Sequence, residues 1–167
     1  MGDFAFLEYC GILIVMDELT LALKGLLADT VALKFKAHGY HWNVEGDDFP
    51  QWHEKFGEIY EDLDGAIDEF AEWIRMIDVN SYAPFRLSRY ADLTIVPETD
   101  VTSDALVMAE DLCESLELVT ARIVSTAVAA TAANQFGLAN FLGDRQTMHQ
   151  KWCWQLEASC KPEAMED

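Results

Sequence analysis

Apolar residues recur at intervals of three and four along most of this chain, the spacing that gathers side chains on one face of an α-helix. Leu19, Leu23, Leu26, Leu27, Val31, Leu33 and Phe35 form one such series, predicting a first helix from about Ile14 to Asn43. The run Glu45-Gly46-Asp47-Asp48 breaks it. Asp48 is placed to cap the next helix, and Pro50 is tolerated in that helix's first turn. Trp52, Phe56, Ile59, Leu63, Ile67, Phe70, Ile74 and Ile77 then share one arc of a second helix that should run to about Asp78. Asn80 to Pro97 contains Pro84, two serines and mixed apolar residues, and reads as a long connection with a short helix near Phe85–Tyr90. Thr102-Ser103-Asp104 starts a third long helix reaching about Ala130. Phe136-Gly137 marks a junction before a fourth, which should end near Ser159.

Four long helices, with a long crossover carrying a short helix between the second and third, describe an all-α, ferritin-like four-helix bundle. The 167 residues suit a single domain with a substantial core. Residues 1–13 are expected to form an N-terminal extension and residues 160–167 a frayed acidic tail. The apolar stretch Phe4 to Met16 is interrupted by Glu8 and has no basic flank. It is too short to span a bilayer and does not read as a signal peptide, so no membrane partner is expected.

Charge narrows the function. Thirty acidic against eleven basic residues give a formal charge of −19. Such a field repels nucleic acid and draws cations, so handling of metal ions fits better than direct contact with DNA. Cys10, Cys113, Cys153 and Cys160 show no CxxC spacing and no paired rhythm. That pattern argues against a zinc knuckle and a secreted disulfide framework, and the expected compartment is the reducing cytosol.

At about 100° per residue the second helix divides into faces. Lys55, Glu58, Asp62 and Glu69 lie roughly opposite the apolar arc and should be solvated. Between the two runs a stripe of His53, Gly57, Glu61, Asp64, Asp68 and Glu72. Carboxylates at a core edge repel one another and lose hydration unless a cation or a partner compensates. Asp68 and Glu72, at i and i+4, present theirs from adjacent turns. His38, His41 and His53 fall within "HGYHWNVEGDDFPQWH", where a tight turn lets His41 and His53 approach one point. Imidazole and carboxylate donors together suit iron, zinc or manganese. His53 and Asp68 are fifteen residues apart on one helix, roughly 22 Å at 1.5 Å per residue. Donors to one ion must lie within a few ångströms of it, so a single chain cannot complete this site. An antiparallel copy related by a twofold axis can, which predicts a homo-oligomer. His38 is read as a surface or interface histidine, and His149 as the partner in a structural hydrogen bond.

The segment "LLADTVALKFKAHGYHWNVEGDDFPQWHEKFGEIYEDLDGAIDEFAEW" resembles the Dps family of mini-ferritins. Its most specific signature is HWNV-x-G-x-x-F-x-x-x-H followed by D-x-x-x-E. Weaker likeness continues through "SRYADLT" and "MHQKWCWQLEA", so the resemblance runs from about Leu19 to Ala158. It implies a hollow dodecamer with a ferroxidase centre at each twofold interface. His41 and His53 would come from one subunit, and Asp68 and Glu72 from its neighbour. Iron would be the substrate and the stored product, with Fe(II) oxidised by hydrogen peroxide. Trp42 and Trp52 would lie near the centre. Four positions depart from the family pattern. Gly57 stands where an aspartate is usual, Trp73 where an arginine often follows the glutamate, Gln150 for an acid, and Asn140 for an acid near the threefold channel. Gly57 motivates an alternative, a Dps-like shell whose centre is weakened or inactive. Members that bind DNA directly often use a lysine-rich tail, whereas the first 23 residues here contain no lysine or arginine.

Overall fold

The structure is a computed structural model that describes the backbone of residues 2–161 and the side chains from residue 16 onward. Most of the expected acidic tail, residues 162–167, and the side chain of Cys10 lie outside the described residues. The fold consists of α1 (Gly2–Asn43), α2 (Phe49–Ile77), α3 (Leu87–Leu93), α4 (Ala105–Ala132) and α5 (Phe136–Ser159). α1 pairs with α2, α4 pairs with α5, and α1 packs on α4 to join the two helical hairpins. The short α3 lies in the crossover against α1.

The helix ends follow local chemistry. α1 starts well before Ile14 because no proline interrupts residues 2–15, so the backbone stays helical where the apolar period fades. After α1, Gly46 adopts φ +122°, a conformation that residues with a Cβ rarely reach. Asp48 holds the N-cap position of α2 but makes no side-chain capping bond, leaving Pro50 as the local start signal. Asp104 does cap α4, accepting from the Leu106 and Val107 amides at 2.9 and 3.2 Å. The end of α4 is a Schellman turn: Asn134 takes φ 58°, and the Gln135 amide reaches back to the Ala130 carbonyl at 2.8 Å. The Glu45 amide donates to the Ser103 carbonyl at 3.0 Å, tying the α1–α2 turn to the start of α4.

Leu19, Leu23, Leu26, Leu27 and Leu33 of α1 meet Trp52, Phe56, Ile59, Leu63, Phe70 and Ile74 of α2 in the buried core. α4 adds Met108, Leu112 and Leu116, and α5 adds Leu138, Leu142 and Leu156. By composition alone α4 is long and apolar enough to cross a bilayer, but here it is an element of the bundle.

Three expectations are corrected. Phe35 is 68% exposed, because two positions beyond the buried Leu33 is about 200° round the helix. Asp62 is not simply solvated: it accepts from Arg145 Nη1 and Nη2 at 3.0 and 2.8 Å and from the Trp152 indole N–H at 3.1 Å. Arg145 is buried and needs a counter-charge there. Burial alone would raise the Asp62 pKa, but the hydrogen bonds and charge of Arg145, with Trp152, hold it below the usual carboxylate value. Cys113 of α4 and Cys153 of α5 are also paired, as a disulfide with Cα atoms 4.9 Å apart. Their separation of 40 residues hides this contact, which depends on how two helices sit side by side. A further buried acid, Asp29, accepts from Arg122 at 2.9 Å, the Ile95 amide at 2.8 Å and Thr94 at 3.0 Å, fastening the crossover to α1 and α4.

Candidate metal centre

His41 ends α1, and His53 occupies the second turn of α2, so the Gly46 reversal brings them face to face. Their rings stack with centroids 3.6 Å apart and planes 22° from parallel. His41 Nδ1 lies 2.6 Å from the His53 carbonyl oxygen, and His53 Nδ1 lies 2.7 Å from the His41 carbonyl oxygen. A carbonyl oxygen only accepts, so each Nδ1 carries the hydrogen and donates it. In the neutral ring this assignment leaves each Nε2 with a free lone pair. Metal-binding histidines are commonly oriented this way, with the other ring nitrogen donating to a backbone carbonyl. The pair is half-buried, and Phe49 stacks on His53 at 5.0 Å.

Gly57 lies directly beneath the pair. A Cβ there would stand 3.4 Å from His41 Nδ1 and 3.5 Å from its Cε1, so the His41 ring rests against bare α2 backbone. Tyr60 meets the edge of His41 at 5.3 Å and stacks on His38 at 4.0 Å. His38 also contacts Trp42 at 4.1 Å, so it belongs to an aromatic cluster beside the pair. Burial, then the charges of Lys34 and His41, lower the pKa of His38, partly opposed by Asp64. Trp42 is 56% exposed, whereas Trp52 is a buried core residue stacked on Phe56.

Asp68 and Glu72 are exposed further along α2, and among the described residues neither has an ion-pair partner. Asp64 of the same stripe is paired with Lys34 at 3.3 Å. The fold thus unites His41 with His53 and leaves Asp68 roughly 22 Å, and Glu72 roughly 28 Å, along the helix from His53. Among the described residues the one trio of histidine, cysteine or carboxylate donors clustered within 4.8 Å is Cys113, Glu117 and Cys153. His149 is buried, with its Nδ1 3.3 Å from the Thr120 hydroxyl, and is a structural residue. Trp73 packs against Gly137 and Phe141, filling the α2–α5 seam with an aromatic ring. Sequence reasoning missed the roles of Tyr60, Asp62 and the two carbonyl oxygens. Only the HGYHWN run hinted at an aromatic cluster.

The ferritin-like domain family matches residues 20–161, nearly the whole described chain. The chain therefore belongs to the ferritin-like family, as its bundle and long crossover indicate. Within that family its relatives include Dps proteins. It is 30% identical to the DNA protection during starvation protein of Helicobacter pylori, over 81% of this chain and 94% of that one. It is 31% identical to the protein of the same name from Brevibacillus brevis, over 86% and 95%. The Dps protein of Vibrio cholerae superimposes with a TM-score of 0.84 at 27% identity, over 89% of this chain and 92% of that one. That structure is described as a member of a broad superfamily of ferritin-like diiron-carboxylate proteins.

Proposed function

We propose that this chain is a cytosolic mini-ferritin ferroxidase that oxidises Fe(II) with hydrogen peroxide and stores the ferric product inside a dodecameric shell. The observation that carries the proposal is the stacked histidine pair, whose reciprocal Nδ1–H bonds to carbonyl oxygens leave both Nε2 atoms free. Such a pair supplies two neutral nitrogen donors with fixed orientation. Two donors hold an ion weakly, and the unpaired carboxylates of Asp68 and Glu72 can add charge only from another copy. In the proposed assembly a twofold axis sets one protomer's His41 and His53 opposite Asp68 and Glu72 of the partner subunit. Iron is the substrate. Anionic oxygen donors favour the more highly charged ferric product over Fe(II), so the carboxylates assist electron loss. Each peroxide takes one electron from each of two Fe(II) ions, and with two protons becomes two waters. Consumption of both reagents suppresses hydroxyl-radical formation. The net charge of −19 per chain favours cation delivery and makes direct DNA association unfavourable.

A second reading, a shell with a weakened or inactive centre, is favoured by Gly57. Position 57 offers no carboxylate, and the His41 ring lies 3.4 Å from where a Cβ there would stand. Oxygen-free titration with Fe(II), followed by separate additions of peroxide and oxygen, distinguishes the two. A ferroxidase oxidises the bound iron faster than the His53→Ala/Glu72→Ala double mutant with at least one oxidant. Equal rates favour the inert shell.

A further inference from the structure

The bundle contains a second group of metal-binding side chains, far from the histidine pair in chemistry and on the other helical hairpin. Cys113 and Glu117 are one turn apart on α4, and Cys153 faces them from α5. The two Sγ atoms and a Glu117 carboxylate oxygen all lie within 4.8 Å of one another. Both cysteines are buried and Glu117 is exposed, so the trio has two soft donors inside and a hard anionic donor at the surface. Cys153 Sγ also lies 3.2 Å from the Cys113 carbonyl oxygen, an acceptor within reach of the thiol once the disulfide is reduced. Beside Cys113 is a cavity of about 260 Å³ lined also by Ala109, Glu110, Leu156, Glu157, Cys160 and Lys161. Its two glutamates outnumber its one lysine, so the approach carries a net negative charge.

We propose that Cys113, Cys153 and Glu117 form a redox-gated site for a divalent cation of the zinc class. In the oxidised state the sulfurs are bonded to each other and offer no thiolate. Two-electron reduction of the disulfide by a dithiol yields two thiols and converts the reductant to its own disulfide. Binding of M²⁺ then releases two protons and forms two metal–thiolate bonds, with the Glu117 carboxylate as third donor. The fourth tetrahedral position faces the solvent side and takes water. Zinc–sulfur bonds of about 2.3 Å require the sulfurs to part to a tetrahedral edge, a movement that adjustment of the two cysteine rotamers supplies. The α4–α5 hairpin is thereby held by a covalent bond under oxidising conditions and by a metal under reducing ones. The site is independent of the iron chemistry proposed above.

Cobalt(II) tests the proposal on the full-length assembly, since thiolate ligation gives charge-transfer absorption that a sulfur-free histidine–carboxylate centre cannot produce. Reduced, oxygen-free protein should show the band saturating at one cobalt per chain, and zinc(II) should bleach it. The disulfide form should show none, and Cys153→Ser should abolish it. Glu117 is exposed, so Glu117→Gln tests the site without disturbing the core, and should weaken cobalt binding by at least about tenfold. Absence of the band in reduced protein, or its persistence in Cys153→Ser, overturns the proposal. So does unchanged cobalt affinity in Glu117→Gln.

Discussion

Gly57 decides between an active centre and an inert shell, and its surroundings set what substitution should do. The residue is buried in the third turn of α2, under the His41 ring. An added Cβ would sit 3.4 and 3.5 Å from two ring atoms, at the near edge of ordinary van der Waals contact. A shift of a few tenths of an ångström by His41, at the end of its helix, accommodates a methyl group. Replacing a mid-helix glycine by alanine is worth about 0.5–1 kcal/mol. Gly57→Ala should therefore stabilise the protein by about that amount and raise Tm by roughly 1–4 °C for a chain of this length. Gly57→Asp should gain less without metal, because aspartate is a poorer helix former and its carboxylate loses hydration beside the ring. With Fe(II) present and oxygen excluded, the aspartate variant should gain more Tm than the alanine variant, as linkage to a new ligand demands. It should also oxidise Fe(II) faster than wild type. Thermal unfolding by circular dichroism, with and without Fe(II), gives both comparisons. A loss of more than about 1 kcal/mol in Gly57→Ala would show that His41 cannot yield and that glycine is required for the histidine pair. Equal metal responses in the two variants would remove the missing carboxylate as the cause of any weakness.

Asp62→Ala leaves the buried Arg145 without its counter-charge; because the Asp62 side chain is 20% exposed, the loss should sit near the low end of about 3–5 kcal/mol in urea unfolding. A loss below about 1 kcal/mol would mean that water replaces the carboxylate without difficulty. The pKa of His149 is pushed down from 6.5 to about 4, first by burial and then by the charge of Arg145. The folded state thus binds fewer protons at this residue, and its contribution is fully present above pH 6.5 and drains as pH falls toward about 4. The expected slope is about 1.4 kcal/mol per pH unit, and a folded His149→Gln variant should lack it; identical pH profiles would contradict the assignment. The assembly should not retard duplex DNA at physiological salt without added divalent cation, given −19 per chain. A tight, magnesium-independent gel shift would refute that electrostatic reading.

The long helices were legible because Leu19 to Leu33 and Trp52 to Ile77 keep one period over many turns, and burial follows that period closely. Phe35 was misplaced because its apolar character outweighed its phase. The ends were harder to read: Asp104 caps α4 through its side chain, while Asp48 occupies the same position on α2 without such a bond. The local sequences differ at the second helical position, where Leu106 donates its amide to Asp104 but Pro50 has no N–H to give Asp48. Motif and turn together brought His41 and His53 to one point, and the rings do stack. Their mutual carbonyl bonds were invisible, since backbone acceptors have no sequence signature. Asp62 with Arg145 and Cys113 with Cys153 are contacts across α5, fixed by helix packing rather than by spacing along the chain. The cross-subunit placement of Asp68 and Glu72 still rests on the length of α2 and on family resemblance.

The central claim, a centre shared between chains, is tested most directly by complementation. His53→Ala and Glu72→Ala each disable every site in their own assemblies, so each alone should oxidise Fe(II) with peroxide no faster than the double mutant. In a mixed pair, one site combines both defects and the other combines the intact histidines of one chain with the intact carboxylates of its partner. Random co-assembly in equal amounts makes half the pairs mixed, so oxidation should return to about a quarter of the wild-type rate. If co-assembly is verified by native mass spectrometry and no activity returns, the histidines and carboxylates do not share a centre across chains.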